Sequence, residues 1–284
     1  MSLPTFDGLR VLSLESRRAR EMVTLITTHG GRATVAPSMR EVPLESNAAA
    51  IAFAEALIRG QFDVVVLLTG VGTRVLIDVV GRALGGTPDF VAALGRVQLA
   101  VRGPKPHGAI RELGLAAWVV APEPNTWREL VAAIDATGPS PLAGCRVAVQ
   151  EYGVSNEDLL QALAARGATV TPVPVYQWAL PEDLAPLEAA CRSLNAGEID
   201  VVLFTTGLQA VHLLQVADRL DLGDGVRASL NRTVVASIGP TTSEELHAQH
   251  IEVDLEPSHP KMGVLVRETA EKARALVALK AAGT

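Results

Sequence analysis

DVVVLLTG at residues 63–70 returns as DVVLFTTG at residues 200–207. Each is a nearly unbroken aliphatic run that starts on Asp and stops on Thr-Gly. Such a run reads as a strand buried on both faces, the kind found in parallel sheets covered by helices. Two further matches keep the same order and nearly the same spacing: GLRV at 8–11 with GCRV at 144–147, and Gly103-Pro104 with Gly239-Pro240. Solenoid repeats run to roughly 20–50 residues, and this period is several times longer, the size of a whole domain. Two similar α/β units facing each other are expected to form a cleft, where small ligands bind.

Working outward, apolar runs alternate with helical patterns. Strands are expected at 11–14, 33–36, 64–68, 97–101 and 117–120, and again at 146–150, 168–173, 201–205, 233–237 and 251–255. Helices are expected at 17–29, 46–59, about 106–113, 156–166, 183–195, 208–218, 242–249 and about 262–280. Thr126 with Glu129 forms a capping box that opens another. The alternation predicts an α/β fold of two similar doubly wound parallel-sheet lobes, Rossmann- or flavodoxin-like, with right-handed crossovers. Pro37–Leu44 and Thr171–Leu180 are extended and punctuated by proline. They read as a two-stranded linker, so that 1–38 plus 178–284 form one discontinuous lobe and 41–173 the other.

The chain has 284 residues, 48% hydrophobic and 20% charged, with net charge −6. That is enough for two cores. An acidic balance argues against a general nucleic-acid binder. The start, MSLPTFDGLR, lacks a basic region and an apolar stretch of the secretory kind, and the most apolar segment, Val64–Leu76, is too short and polar to span a bilayer. A cytoplasmic protein without membrane attachment is expected. Cys145 and Cys191 give neither a disulfide framework nor a metal-ligand spacing, and no metal site is expected.

Active clefts of open α/β sheets lie at the carboxyl ends of strands. Those positions hold Thr69-Gly70-Val71-Gly72, Arg102-Gly103-Pro104-Lys105, Glu151-Tyr152-Gly153, Thr206-Gly207 and Gly239-Pro240-Thr241-Thr242, with Arg17, Arg18 and Arg20 after the first strand. Glycine turns that expose backbone N–H groups at helix starts suit anions, and several together suit a ligand with many carboxylates or phosphates. Thr beside Gly also simply caps a helix, and Thr241 with Glu244, or Thr242 with Glu245, fits a capping box. Arg74, Lys105, His107, His259 and Lys261 would add local positive charge that steers an anion. Tyr176, one of two tyrosines, sits in the linker as a packing aromatic or a proton donor. Walker, GxGxxG and nucleophile-elbow signatures are missing.

LLTGVGTRVL at 67–76, VRGPKPHGAIRELG at 101–114, VAVQEYG at 147–153, VYQW around Tyr176, FTTGLQAV at 204–211 and IGPTTSEEL at 238–246 together resemble the uroporphyrinogen-III synthase family over essentially the whole chain. The resemblance implies two α/β lobes on a two-stranded linker. It also implies a cofactor-free lyase that closes hydroxymethylbilane, a polycarboxylate linear tetrapyrrole, to uroporphyrinogen III. Tyr176 is then the implied acid for the leaving hydroxyl. Thr69, Thr206 and Thr242, with their neighbouring glycines, are the implied carboxylate partners. Where many members carry Thr in the first Gly-Pro turn, this chain has Pro106, which supplies neither a hydroxyl nor an N–H; Lys105 is the substitute. A monomer is expected, with hydroxymethylbilane synthase a transient partner.

Two other readings stay open. One is a non-catalytic member that senses a tetrapyrrole-like ligand or serves as a regulatory subunit. The other is a hinged two-lobe binding protein. Little chain follows the expected last strand beyond one helix, so no winged DNA-binding domain is expected.

Overall fold

A computed structural model describes residues 3–43, 47–151, 153 and 155–282. In chain order the elements are β1 (Arg10–Ser13), α1 (Ala19–Thr28), β2 (Arg32–Val35), β3 (Arg40–Pro43), α2 (Ala48–Ile58), β4 (Val64–Leu67), α3 (Gly70–Leu84), α4 (Pro88–Leu94), β5 (Gln98–Val101), α5 (Pro104–Arg111), β6 (Val119–Val120) and α6 (Trp127–Asp135). There follow β7 (Arg146–Glu151), α7 (Glu157–Ala164), β8 (Thr169–Pro174), β9 (Tyr176–Ala179), α8 (Ala185–Asn195), β10 (Val201–Phe204), α9 (Leu208–Arg219), α10 (Gly223–Arg232), β11 (Val234–Ser237), α11 (Pro240–Ala248) and α12 (Met262–Ala282).

The chain divides into two compact units, residues 1–40 with 179–284, and residues 41–178. The first holds a parallel sheet in the order β11-β10-β1-β2. The second holds a parallel sheet in the order β6-β5-β4-β7-β8. The expected α/β class with parallel sheets is what the protein has. Both chain crossings between units fall at β3 and β9, which pair as a two-stranded sheet. β8 runs to Pro174 at a sheet edge, where a strand tolerates Pro172 and Pro174. Leu44, the end of the expected first linker, lies outside the described residues.

Each unit has helices on both sheet faces and a core on each side. VVVL of β4 and VVLF of β10 are buried throughout, because parallel strands so covered leave no face to water. In the first unit, one core gathers Leu12, Phe204, Leu213 and Leu230, and the other Val11, Met22, Leu203 and Leu265. In the second unit, one core holds Phe53, Leu76, Phe90 and Ile110, and the other Val66, Leu130, Leu159 and Val149. The central strands are held at their starts by matching ion pairs. Asp63 accepts from the backbone N–H of Arg146 at 2.8 Å and from its guanidinium at 3.0 and 2.7 Å. Asp200 accepts the same three bonds from Arg10 at 2.7, 3.0 and 2.6 Å.

Three expectations need correction. No strand forms at 251–255. Only an isolated bridge joins Ala236 to Leu255, because the Asp254 carboxylate takes the Val235 N–H at 2.7 Å and is itself tied to Lys280. α11 begins at Pro240, which fixes the first helical residue. Thr241 and Thr242 therefore sit inside its first turn and neither caps it; the N-cap is Gly239, without a side-chain bond. Finally, α3, α4 and α10 form where no helical stretch was expected: α4 is only seven residues long, and α3 and α10 open on Gly70-Val-Gly and Gly223-Asp-Gly, whose glycines mask the helical pattern. The capping box at Thr126 and Glu129 is present. Among the described residues, no helix is long and apolar enough to cross a membrane.

Candidate functional site

Sheet order places a switch point in each unit, where successive connections leave in opposite directions. In residues 41–178 it lies between β4 and β7, and in the other unit between β1 and β10. Ligands of open α/β sheets bind outside the carboxyl ends of strands at such points.

At the β4–β7 switch, Thr69 caps α3: its Oγ1 accepts the Gly72 N–H at 2.9 Å, while its backbone carbonyl accepts the Thr73 hydroxyl at 2.8 Å. The Thr69 N–H donates to Oε1 of Gln150, the penultimate residue of β7, at 3.4 Å. Among the described residues the Thr69 hydroxyl finds no acceptor for its own proton. Two glycines permit close approach here. A Cβ at Gly70 would lie 2.7 Å from the Lys105 carbonyl oxygen, and one at Gly72 would lie 2.2 Å from Gln150 Nε2. The β4, β5 and β7 turns therefore abut. Val71, half-buried, packs on the core beneath them. Arg102 Nε donates to the Leu68 carbonyl at 3.3 Å, Gly103 lies against the Asn125 amide, and Lys105 is exposed in the first turn of α5. Pro106 beside it is buried. The Gly153 N–H donates to the Tyr176 carbonyl at 3.1 Å, tying the β7 turn to β9. Tyr152 lies outside the described residues.

At the β1–β10 switch, Thr205 is held from every side. Its N–H donates to Gln209 Oε1 at 2.8 Å, its hydroxyl accepts from Gln209 Nε2 at 2.9 Å, and that hydroxyl donates to Glu15 Oε2 at 2.5 Å. Next to it Thr206 is half-buried, and among the described residues its hydroxyl has no partner. Gly207 is the N-cap of α9, in helical conformation with no side-chain cap, and is overlain by the Glu245 side chain from α11. On the neighbouring β11 turn, Ser237 donates to the Gly239 carbonyl at 3.0 Å, Pro240 opens the helix and Thr241 is exposed. Thr242 is only 6% exposed, and among the described residues its hydroxyl has no hydrogen-bond partner. Arg17 is exposed just before α1.

Tyr176 begins β9 with 3% exposure; its ring belongs to the core of residues 41–178 and meets Trp178 edge-on at 5.7 Å. The basic side chains fare unevenly. Arg74 is engaged by Glu112 at 2.6 Å and Arg18 by Glu21, so neither is an uncompensated charge. A groove of about 430 Å³ lies on the helical face along α3 and α5, lined by Arg74, Asp78, Arg82, Thr87 and Glu112; none of the strand-end turns lines it.

Gln150 and Gln209 escaped sequence reasoning. The available signal was a polar residue in an otherwise apolar run (VAVQE) and one in the first helical turn after Thr-Gly (GLQAV). Among the described residues no three His, Cys, Asp or Glu side chains gather as a metal site would need.

A family model described as Uroporphyrinogen-III synthase HemD matches residues 20–267. The uncharacterized protein YjjA of Bacillus subtilis is 30% identical over 268 residues, covering 93% of this chain and 96% of that protein. A Methanothermobacter thermautotrophicus protein, provisionally named uroporphyrinogen-III synthase, is 30% identical over 239 residues, covering 82% and 87%. The fold is similar to that of a mutant uroporphyrinogen III synthase from the extremely thermophilic bacterium Thermus thermophilus in its crystal structure. That likeness has a TM-score of 0.72 at 24% identity and covers 94% of this chain and 99% of that one.

Proposed function

Since the chain belongs to the uroporphyrinogen-III synthase family, we propose that it closes hydroxymethylbilane to uroporphyrinogen III with inversion of the last pyrrole ring and loss of water. In this reading Tyr176 gives its proton to the terminal hydroxyl, which leaves as water while the pyrrole supplies the electron pair. The azafulvenium-like cation is attacked by the substituted α-carbon of the last pyrrole. The spiro intermediate opens by breaking that carbon's older bond to the chain, the ring's free α-carbon closes the macrocycle in its place, and the proton lost from that carbon restores the pyrrole and returns to the phenolate. Without an enzyme the bilane closes to the uninverted isomer, so the chain's main task is to hold the substrate in one folded shape.

The observation that carries the reading is the state of three hydroxyls. Thr69, Thr206 and Thr242 stand at strand-end turns, and none of them spends its proton on a described residue. Each is a donor for an acetate or propionate, beside the open N–H groups of a helix start. Arg17, Arg102 and Lys105, with the backbone N–H groups of Gly70, Val71, Gly207 and Thr241, complete the set, while the N–H groups of Gly72, Gly103, Gly153 and Gly239 are spent within the protein and those glycines shape the turns. The protein would work as a cytoplasmic monomer without a cofactor, taking its substrate from hydroxymethylbilane synthase.

One observation favours a second reading, a non-catalytic sensor of tetrapyrrole-like ligands: the phenol proposed as acid is almost enclosed. A coupled assay separates the two. Hydroxymethylbilane is generated in situ, the protein added, and the oxidised uroporphyrin isomers separated. A product dominated by isomer III is expected. Isomer I alone, from folded protein, would replace the synthase by the sensor.

A further inference from the structure

The two buried glutamines have no place in the chemistry above, and their bonds converge on the same turns. Gln209 is 1% exposed and Gln150 is 1% exposed. Burying a primary amide is costly unless its donors and acceptor are met. Here both amides are met by the polypeptide at strand-end turns. Gln209 grips Thr205 twice, by Oε1 on the N–H and by Nε2 on the hydroxyl. Gln150 accepts the Thr69 N–H and donates to the Glu151 carbonyl at 2.8 Å. The glutamines come from unlike elements, the first turn of α9 and the end of β7. Common ancestry of the two units therefore does not account for them.

The consequence is selective. In the Thr205-Thr206 pair, Gln209 and Glu15 use up every polar group of the first residue except its carbonyl, leaving the second hydroxyl uncommitted. In the β4 turn, the Thr69 N–H is used and the hydroxyl proton is left. We propose that Gln209 and Gln150 are positioning residues: they fix these turns so that the Thr206 and Thr69 hydroxyls are the donors presented to substrate carboxylates. This inference rests on the reading of those turns as carboxylate sites.

The test uses the full chain and uroporphyrin III as a polycarboxylate probe, with binding followed by fluorescence. Gln209→Met keeps the volume and removes the amide. It is expected to weaken binding about tenfold, the worth of one hydrogen bond. Thr206→Val is expected to do the same. If Gln209 acts through Thr206, the double variant loses about tenfold and not about a hundredfold, because coupled residues are not additive. Amide exchange by NMR reads the clamp without ligand: the Thr205 N–H should exchange at least about tenfold faster in Gln209→Met. Gln209→Asn, too short to span the turn, repeats the test if the Met variant does not fold, and Gln150→Met with Thr69 exchange repeats it at β4. Unchanged binding, unchanged exchange or full additivity would overturn the proposal, as would a wild type that does not bind the probe. A wild type that binds the probe but yields only isomer I ends the catalytic reading and leaves the clamp standing on the binding cycle.

Discussion

Asp63 and Asp200 do the same work at the same station of their units, each holding the Arg that starts the neighbouring strand. The Arg146 hydrogen bonds hold the Asp63 carboxyl down at about 2, and the Arg10 hydrogen bonds lower Asp200. A carboxylate whose folded pKa lies below its unfolded value adds stability above roughly pH 3.9, and that stability is lost as pH falls through the folded value. Unfolding free energy should therefore drop between about pH 4 and about pH 2, and Asp63→Asn should flatten that limb in urea titrations. At pH 7, Asp200→Asn should cost about 1–2 kcal/mol, its ion pair being partly exposed. Tyr176 makes a different kind of prediction. Tyr176→Phe keeps the ring against Trp178 and removes only the hydroxyl. Turnover to isomer III should fall about 10²-fold, as for a lost general acid, in a variant that still folds by circular dichroism. Wild-type turnover in the variant would take the phenol out of the mechanism.

Among the elements, the turns that look alike in sequence are built differently. α3 is capped by a Thr side chain, α9 and α11 are not, and α11 starts on Pro240. A Thr removed from a cap costs about 1 kcal/mol, whereas one that makes no bond costs under about 0.5. Thr69→Ala should thus lower both the melting temperature and the isomer III yield. Thr206→Ala should lower the yield alone. Equal losses of stability in the two would show that the α9 turn depends on a bond to Thr206. The missing strand at 251–255 belongs to this scale too: Ile251 and Leu255 are buried as strand residues would be, but one bridge and the Asp254 carboxylate do the pairing.

For the molecule as a whole, the units differ in how the chain supplies them. Residues 41–178 are contiguous and contain two complete cores around their own five-stranded sheet. The other unit needs β1 and β2 from one end of the chain and β10 and β11 from the other. A fragment of residues 41–178 should therefore fold alone, with a cooperative thermal transition and an α/β circular dichroism spectrum, while residues 179–284 alone should not. A fragment 41–178 that melts without cooperativity would mean that its sheet depends on the rest of the chain.

The sequence by itself determined the class of fold, the succession of most strands and helices, and the glycine turns that follow the strands. These follow from local periodicity, from unbroken aliphatic runs and from Thr-Gly and Gly-Pro punctuation, all written within a few residues of one another. Only the tertiary structure decided which hydroxyls are spent and which are left. Thr69 meets Gln150, and Thr205 meets Glu15, across 81 and 190 positions of chain. No local pattern encodes such partners, because a hydrogen bond depends on where two backbones are brought together and not on the residues that flank each one.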